Sequence, residues 1–224
     1  MLRAITDIDI PLNSGCLKPI KIIVPSGTLL NPVYPAPVAT GNVETSQRIT
    51  DVLLGALEVA AASQGTMNNF LFQVKGDTPY YETIAGGSGA LKGFKGTSGV
   101  QVHMTNTRMT DPEILEVRHP NVRIDQFSIR KASGGEGLYR GGNGVVRKIK
   151  FLSPATISII SERRNYVPYG LKGGKPGHKG MNFLQKANGK IVKLKHREKL
   201  QLETNDLIII KTPGGGGYGK NERD

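Results

Sequence analysis

Side chains fit for acid, base or anion chemistry gather in a few short stretches of this chain. In QVHMTNTR, His103 stands beside Asn106 and Thr107, a dense polar group where an alternating segment turns into a loop. An imidazole titrates near neutral pH, so His103 suits a general base, although a hydrogen-bonded structural histidine is the simpler reading. Asn106 would complete such a catalytic group and Thr107 would bind substrate. In YYETIAGG, Glu82 leads into Gly86 and Gly87. Its carboxylate would act as acid or base, or hold a substrate amine, with a solvated strand end as the plain alternative. Gly86 and Gly87 would let a substrate approach closely, because no Cβ stands in the way. Arg140, in LYRGGNG, offers a planar fork for a carboxylate or phosphate, or for a surface salt bridge.

Other patterns promise chemistry that the residues around them withdraw. PGGGGYGKN spells a phosphate loop, Gly214 to Lys220, after the apolar run LIIIK. A phosphate loop needs a helix to begin at its end and a Ser or Thr to hold Mg²⁺. Here NERD ends the sequence and Asn221 takes the hydroxyl position, so no ATP is expected at this segment. The dinucleotide fingerprint fails too, with Lys92 and Arg140 where the third glycine belongs. The histidines His103, His119, His178 and His196 are scattered without metal-site spacing, so this chain alone is expected to hold no metal. Cys16, with no basic neighbour nearer than Lys18, reads as packing rather than a nucleophile.

The elements that must position these residues follow from composition and pattern. A chain of 224 residues can bury roughly 70 to 75% of its unfolded surface. Its 29 glycines and 13 prolines lie between alternating apolar segments, which describes a β-rich protein with many tight turns. A single cysteine excludes an internal disulfide framework and suits a reducing compartment. Asp7 and Asp9 interrupt any secretory leader and no segment is long enough to span a bilayer, so a soluble cytoplasmic protein is expected.

Two helices are expected. Ile49, Val52, Leu53, Ala56, Leu57 and Ala60 form a stripe over residues 46–62, read as a core helix capped by Thr45 or Ser46. A second, over 111–118, has Thr110 and Glu113 at capping-box spacing, Pro112 in its first turn, and Pro120 to stop it. Its Glu113 and Glu116 are spaced to share a face.

After Asn121 every apolar segment alternates: VRIDQFSIR, GVVRKIKFL, ATISIISER, MNFLQK, KIVKLK, KLQLE and DLIIIK. The fold class is α+β, β-rich with few helices and a C-terminal antiparallel sheet region, sandwich or barrel-like. Asn188 and Gly189 make a tight hairpin turn. The glycine clusters serve either loops that demand positive φ, the simpler reading, or the close approach of a ligand or another backbone.

Charge divides the chain. Residues 1–107 carry seven basic and seven acidic residues and residues 108–224 carry 23 and 11, so the whole net charge of +12 lies in the second part. Binders of nucleic acid interleave aromatics with basic residues, and NGKIVKLKHREKLQLETND offers none, so nucleic acid is not the expected partner. Basic residues on the solvent face of strands, with Ile191, Val192 and Leu194 turned inward, account for the pattern.

Taken together, DIPLNSGCLKPIKIIVPSGTLLNPVYPAPVATGNVETSQRITDVLLGAL, SQGTMNN, YYETIAGGSGA, VHMTNTRMTDPEILE, SGGEGLYRGGNGVVRKI and TPGGGGYG resemble hydantoinase B, the equivalent of the C-terminal part of 5-oxoprolinase, along nearly the whole chain. The sequence is also similar to a subunit of the acetone and acetophenone carboxylases. The resemblance implies ATP-dependent opening of a cyclic amide such as a hydantoin or 5-oxoproline. A hydantoinase A-like subunit would bind ATP and activate the ring, and the B part would carry it to hydrolysis. An activated imidate is a better electrophile than an amide, so this part must supply an activated water and donors for developing charge.

Family members are longer, and the chain corresponds to somewhat less than their C-terminal half. The family's metal cluster lies in the N-terminal portion, so a divalent metal and ATP are expected on other parts of the assembly. Residues 1–120 then form a family-core fragment and 121–224 a β-rich basic region. The expected role is a partial or split B-type subunit, inactive alone, that meets a separate N-terminal fragment; a noncatalytic assembly module or remnant is one alternative, and a basic nucleic-acid-binding protein the other. A cut at this boundary predicts exposed apolar surface in residues 1–107.

Overall fold

The structure, a computed structural model, describes residues 9–11 and 13–221. Asp7 of the leader reading and the final Glu222 to Asp224 lie outside these residues. All seven alternating segments after Asn121 form strands: β3 (Val122–Ile129), β4 (Val145–Phe151), β5 (Ala155–Ile160), β6 (Met181–Gln185), β7 (Ile191–Leu194), β8 (Arg197–Leu202) and β9 (Leu207–Lys211). Two further strands, β1 (Asn69–Val74) and β2 (Tyr80–Thr83), precede them, and Glu82 lies within β2. In β1 the alternate residues Phe70, Phe72 and Val74 are buried, the signature of a strand with one face on a core.

The strands build two antiparallel sheets, ordered β2-β1-β5-β8 and β3-β4-β9-β6-β7. They share one core. Phe70, Phe72, Ile157 and Ile159 of the first face Ile149, Phe151, Ile208 and Ile210 of the second, and the Phe72 and Phe151 rings meet edge to face at 5.4 Å. Each such side chain, fully buried, is worth about 1.5 to 3 kcal/mol. The architecture is a sandwich, not a closed barrel. Gly189 takes φ +84° between β6 and β7, as a tight hairpin turn requires. In β7 only Leu194 is buried, whereas Ile191 and Val192 face outward, contrary to expectation.

Beside the sandwich the glycine clusters pack on one another. Gly214 to Gly217 have no positive φ. A Cβ on Gly214, Gly215 or Gly216 would come within 1.9 Å of the carbonyl oxygen of Ser133, Ser88 or Tyr169. Close backbone approach therefore requires these glycines, and the positive-φ reading fails for this cluster. Gly214 and Gly217 donate to His178 and Lys175, Gly215 and Tyr218 to Gly142 and Tyr139, Gly216 to Ala62, and Gly219 to Leu171. In the first two of these pairs, donors three positions apart return to one neighbouring segment, the threefold habit of an extended polyglycine helix that makes no bonds within itself. Every N–H from Gly214 to Gly219 is committed to a neighbouring carbonyl, which leaves none to cradle a phosphate.

Helix α1 (Ser46–Ala56) continues a π-helical turn over Gly41–Thr45, and neither Thr45 nor Ser46 caps it, because the helical backbone has begun before them. It stops well short of residue 62, and its packing inverts the expectation. Glu44, Gln47 and Asp51 are buried, while Val52, Leu53 and Leu57 are exposed. Helix α2 (Pro112–Arg118) starts with proline in its first turn and ends at His119. No side chain caps it: the Thr110 N–H approaches Glu82 at 3.4 Å and its carbonyl accepts from Arg147 at 2.9 Å.

Before α1, residues 18–40 run over the surface with Ile22, Leu29, Val33 and Tyr34 exposed, Tyr34 at 94%. The exposed apolar area expected in the first half is present. Cys16 is only half-buried, its thiol 3.5 Å from the Pro11 carbonyl. Among the described residues no helix is long and apolar enough to cross a membrane.

Candidate functional site

The buried polar face of α1 and the turn before it meets the segment Ser63 to Asn69, itself almost entirely polar and buried. Glu44, Gln47 and Asp51 share one helical face by spacing, and each finds a partner far along the chain. Asp51 binds His103 Nε2 at 2.8 Å and Arg163 Nη2 at 2.7 Å, and accepts from the Ser63 N–H at 3.0 Å. The Tyr169 hydroxyl donates to its backbone carbonyl. Gln47 donates to Thr105 Oγ1 at 2.7 Å.

Glu44 Oε1 accepts from the Met67 N–H at 3.0 Å and from Asn69 Nδ2 at 2.7 Å, and Asn69 in turn accepts from Tyr81 at 2.6 Å. The second oxygen of Glu44 is buried without a hydrogen-bond partner. Burial raises this carboxyl to about 7, against the hydrogen bonds from Thr66 and Met67. It can therefore hold or release a proton near neutral pH, as an acid-base group must.

The segment from Gln101 to Thr110 is pinned to this seam by alternate residues. Gln101 donates to Thr83 at 3.0 Å, His103 holds Asp51, Thr105 accepts from Gln47, and the Thr107 hydroxyl bonds that of Thr83. His103 takes φ +57°, left-handed for a non-glycine residue, and the Asp51 contact holds it there. Between these anchors Asn106, Thr107 and Arg108 face an open groove of about 460 Å³, with Val100, Met109 and Phe127 as its apolar wall. Its size is that of a small-molecule site.

Below the groove Glu82 of β2 and Arg147 of β4 form an ion pair at 2.7 Å that joins the two sheets inside the core, both side chains almost fully buried. Burial raises the Glu82 carboxyl, and Arg147 opposes that shift. The Arg147 guanidinium lies 4.7 Å from the centre of the Phe127 ring in the groove wall.

The structure thus brings Asn106 and Thr107 together at one groove; Glu82 is outside its lining and reaches its wall only through Arg147 and Phe127. His103 turns away from the groove to Asp51. Gly86 and Gly87 belong to the glycine packing, where a Cβ on Gly87 would lie 2.0 Å from the Gly142 carbonyl oxygen. Arg140 is exposed and outside the groove lining. Sequence reading missed Glu44, Gln47, Asp51, Asn69, Arg163 and Arg164. The signal for three of them was present, since positions 44, 47 and 51 make a polar stripe on the helix opposite its apolar one.

The histidine and carboxylate contacts near the seam are pairs, His103 with Asp51 and His119 with Asp77. No group of three potential metal ligands occurs among the described residues.

The sequence matches Hydantoinase B/oxoprolinase over residues 1–221. It is 51% identical to a 5-oxoprolinase of Dictyostelium discoideum over 99% of the chain and 17% of that protein. To an uncharacterized protein of Methanocaldococcus jannaschii it is 44% identical, over 100% of the chain and 40% of the relative. The chain therefore spans well under half the length of these relatives. In fold it is similar to the crystal structure of an ATP-dependent caprolactamase from Pseudomonas jessenii, with a TM-score of 0.76 and 23% identity over 95% of this chain and 40% of that one. Matched from residue 1 to residue 221, the chain belongs to the hydantoinase B/oxoprolinase family.

Proposed function

We propose that this chain is part of the B-type unit of an ATP-dependent cyclic-amide hydrolase, with 5-oxoproline or a hydantoin as the ring it helps to open. The observation that carries the reading is 51% identity to a 5-oxoprolinase along 99% of the chain. A hydantoinase A-type subunit binds ATP and activates the ring carbonyl. Family sequence N-terminal to this segment completes the B unit, covers the apolar outer face of α1 and the exposed surface of residues 18–40, and supplies any metal.

On this chain Asn106 and Thr107 meet the ring at the groove and orient it. Glu82, through Arg147, and His103, through Asp51, are positioning residues that fix the groove's wall and its pinned segment. Glu44, buried in the seam and outside the groove lining, is a positioning residue as well. Gly86 and Gly87 hold the backbone close, and Arg140 is free to meet an anionic group on a partner.

The test is reconstitution. The chain is co-expressed with the N-terminal family portion and a hydantoinase A-type subunit, and the complex is assayed for ADP and ring-opened product from 5-oxoproline and from hydantoin. Activity that needs all three parts, with kcat/KM lowered on the order of tenfold by Asn106→Ala, is expected from loss of one hydrogen bond to the ring. An assembled complex that opens neither ring sinks the proposal.

A further inference from the structure

Away from the groove, three guanidinium groups converge where the run Glu162 to Tyr166 passes α1. Arg48, Arg163 and Arg164 line a small pocket of about 50 Å³ with His196 and Asn165. Carboxylates reach Arg164 only through space, from Glu44 and Glu162. Arg163 is paired with Asp51. Arg164, only 7% exposed, bonds Asn68 Oδ1 at 2.7 Å, Asn182 Oδ1 at 2.8 Å and the Glu162 carbonyl at 2.8 Å, all of them neutral acceptors. Burial lowers it to about 9, with Glu44 the chief opposing influence, so at neutral pH it remains a desolvated cation. Arg48 has a buried Nη1 with no hydrogen-bond partner. The carboxylate on the pocket wall, Glu162, reaches Arg197 at 3.3 Å.

Buried charge without an opposite charge is costly, and a guanidinium fork matches a carboxylate or phosphate bidentately. The pocket suits an oxyanion head, not a whole ligand, given that a water occupies about 30 Å³ in the liquid. A cleft of about 350 Å³ shares Arg164, Asn165 and His196 with it and continues along Met181, Asn182 and Lys195. We propose that the pocket between Arg48, Arg163 and Arg164 is an anion subsite, taking the carboxylate or phosphoryl group of a small molecule whose body lies in the adjoining cleft. The assignment rests on the geometry of this chain and goes beyond the hydrolase reading, so either can fail without the other.

The experiment uses the full chain, labelled with ¹⁵N, titrated at fixed ionic strength with inorganic phosphate and separately with glutarate. The amides of Asn165 and Tyr166 and the side-chain Nε groups of Arg48, Arg163 and Arg164 are followed. Saturable shifts centred on these groups are expected. Arg48→Gln is expected to weaken binding about tenfold, Arg48→Lys less, and Lys75→Gln on a distant turn not at all. Saturation with phosphate alone assigns a phosphoryl group, with glutarate alone a carboxylate, and with both their shared oxyanion chemistry. Shifts that never saturate with either anion, or that spread over the lysines of the β6–β7 hairpin, overturn the proposal. An unchanged affinity in a folded Arg48→Gln variant does the same. Should that variant fail to fold, the wild-type map and Arg48→Lys still decide.

Discussion

Glu44 makes the stability of this chain respond to pH in an unusual direction. Its carboxyl has an ordinary value of 4.5 and a folded value of about 7. Between those values the folded chain binds more protons than the unfolded one, so its contribution to stability falls as pH rises. The span is on the order of 3 kcal/mol. Urea midpoints at pH 4.5 and 7.5 are expected to show wild type losing stability relative to Glu44→Gln across this interval; parallel curves would refute the assignment. Asp77 works the other way, because the His119 hydrogen bond lowers its pKa and its stabilisation disappears as pH falls. The difference between variant and wild type isolates Glu44. Asp51 is the more expensive residue to change. Asp51→Asn leaves Arg163 buried beside a neutral amide and weakens the anchor of His103, and breaking such a pair costs about 3 to 5 kcal/mol. A fall in Tm on the order of 10 °C by calorimetry is expected, and a fall of only a degree or two would deny Asp51 that role.

At the scale of elements, the sequence carried periodicity faithfully but not what lies opposite each face. The strands after Asn121 could be read because alternation alone identifies a half-buried strand. The stripe from Ile49 to Leu57 was equally clear, yet it faces outward, since Arg163, His103 and Asn69 offer Asp51 and Glu44 partners that no local window contains. Val52→Glu should therefore change Tm by no more than about a degree, the behaviour of a surface position. A large destabilisation would restore the core reading of α1. Glycine was ambiguous for another reason: positive φ and close approach are written with the same letter. Thermal melts separate the two uses. Gly216→Ala drives a Cβ against the Tyr169 carbonyl and is expected to destabilise by about 3 kcal/mol or more, whereas Gly189→Ala meets open space and costs about 1 kcal/mol from its φ of +84°. Of the candidate site, the groove segment was legible as a dense polar cluster; the seam was not, because it is assembled by contacts between distant residues.

The molecule as a whole is held together by pieces remote in sequence. β1 pairs with β5 and β5 with β8, so one sheet needs both halves of the chain, and Ala62 and Gly216 are joined across the glycine packing. Apolar side chains still reach solvent, and α1 with residues 18–40 presents a run of them, Val52, Leu29 and Tyr34 included. On its own the chain is expected to self-associate in sedimentation and to bind a hydrophobic dye, and both signals should drop when the N-terminal family portion is added. Persistence of the dye signal in that complex would mean that another surface covers this face. The glycine packing has one further effect, on how the protein looks to instruments. Its extended segments lack the dichroism of helix or sheet, so a far-ultraviolet spectrum would count them as coil. Their amides are tied to carbonyls on several sides, so hydrogen exchange would rank Gly214 to Gly217 with the core strands, and order invisible to one method would be the slowest to open in the other.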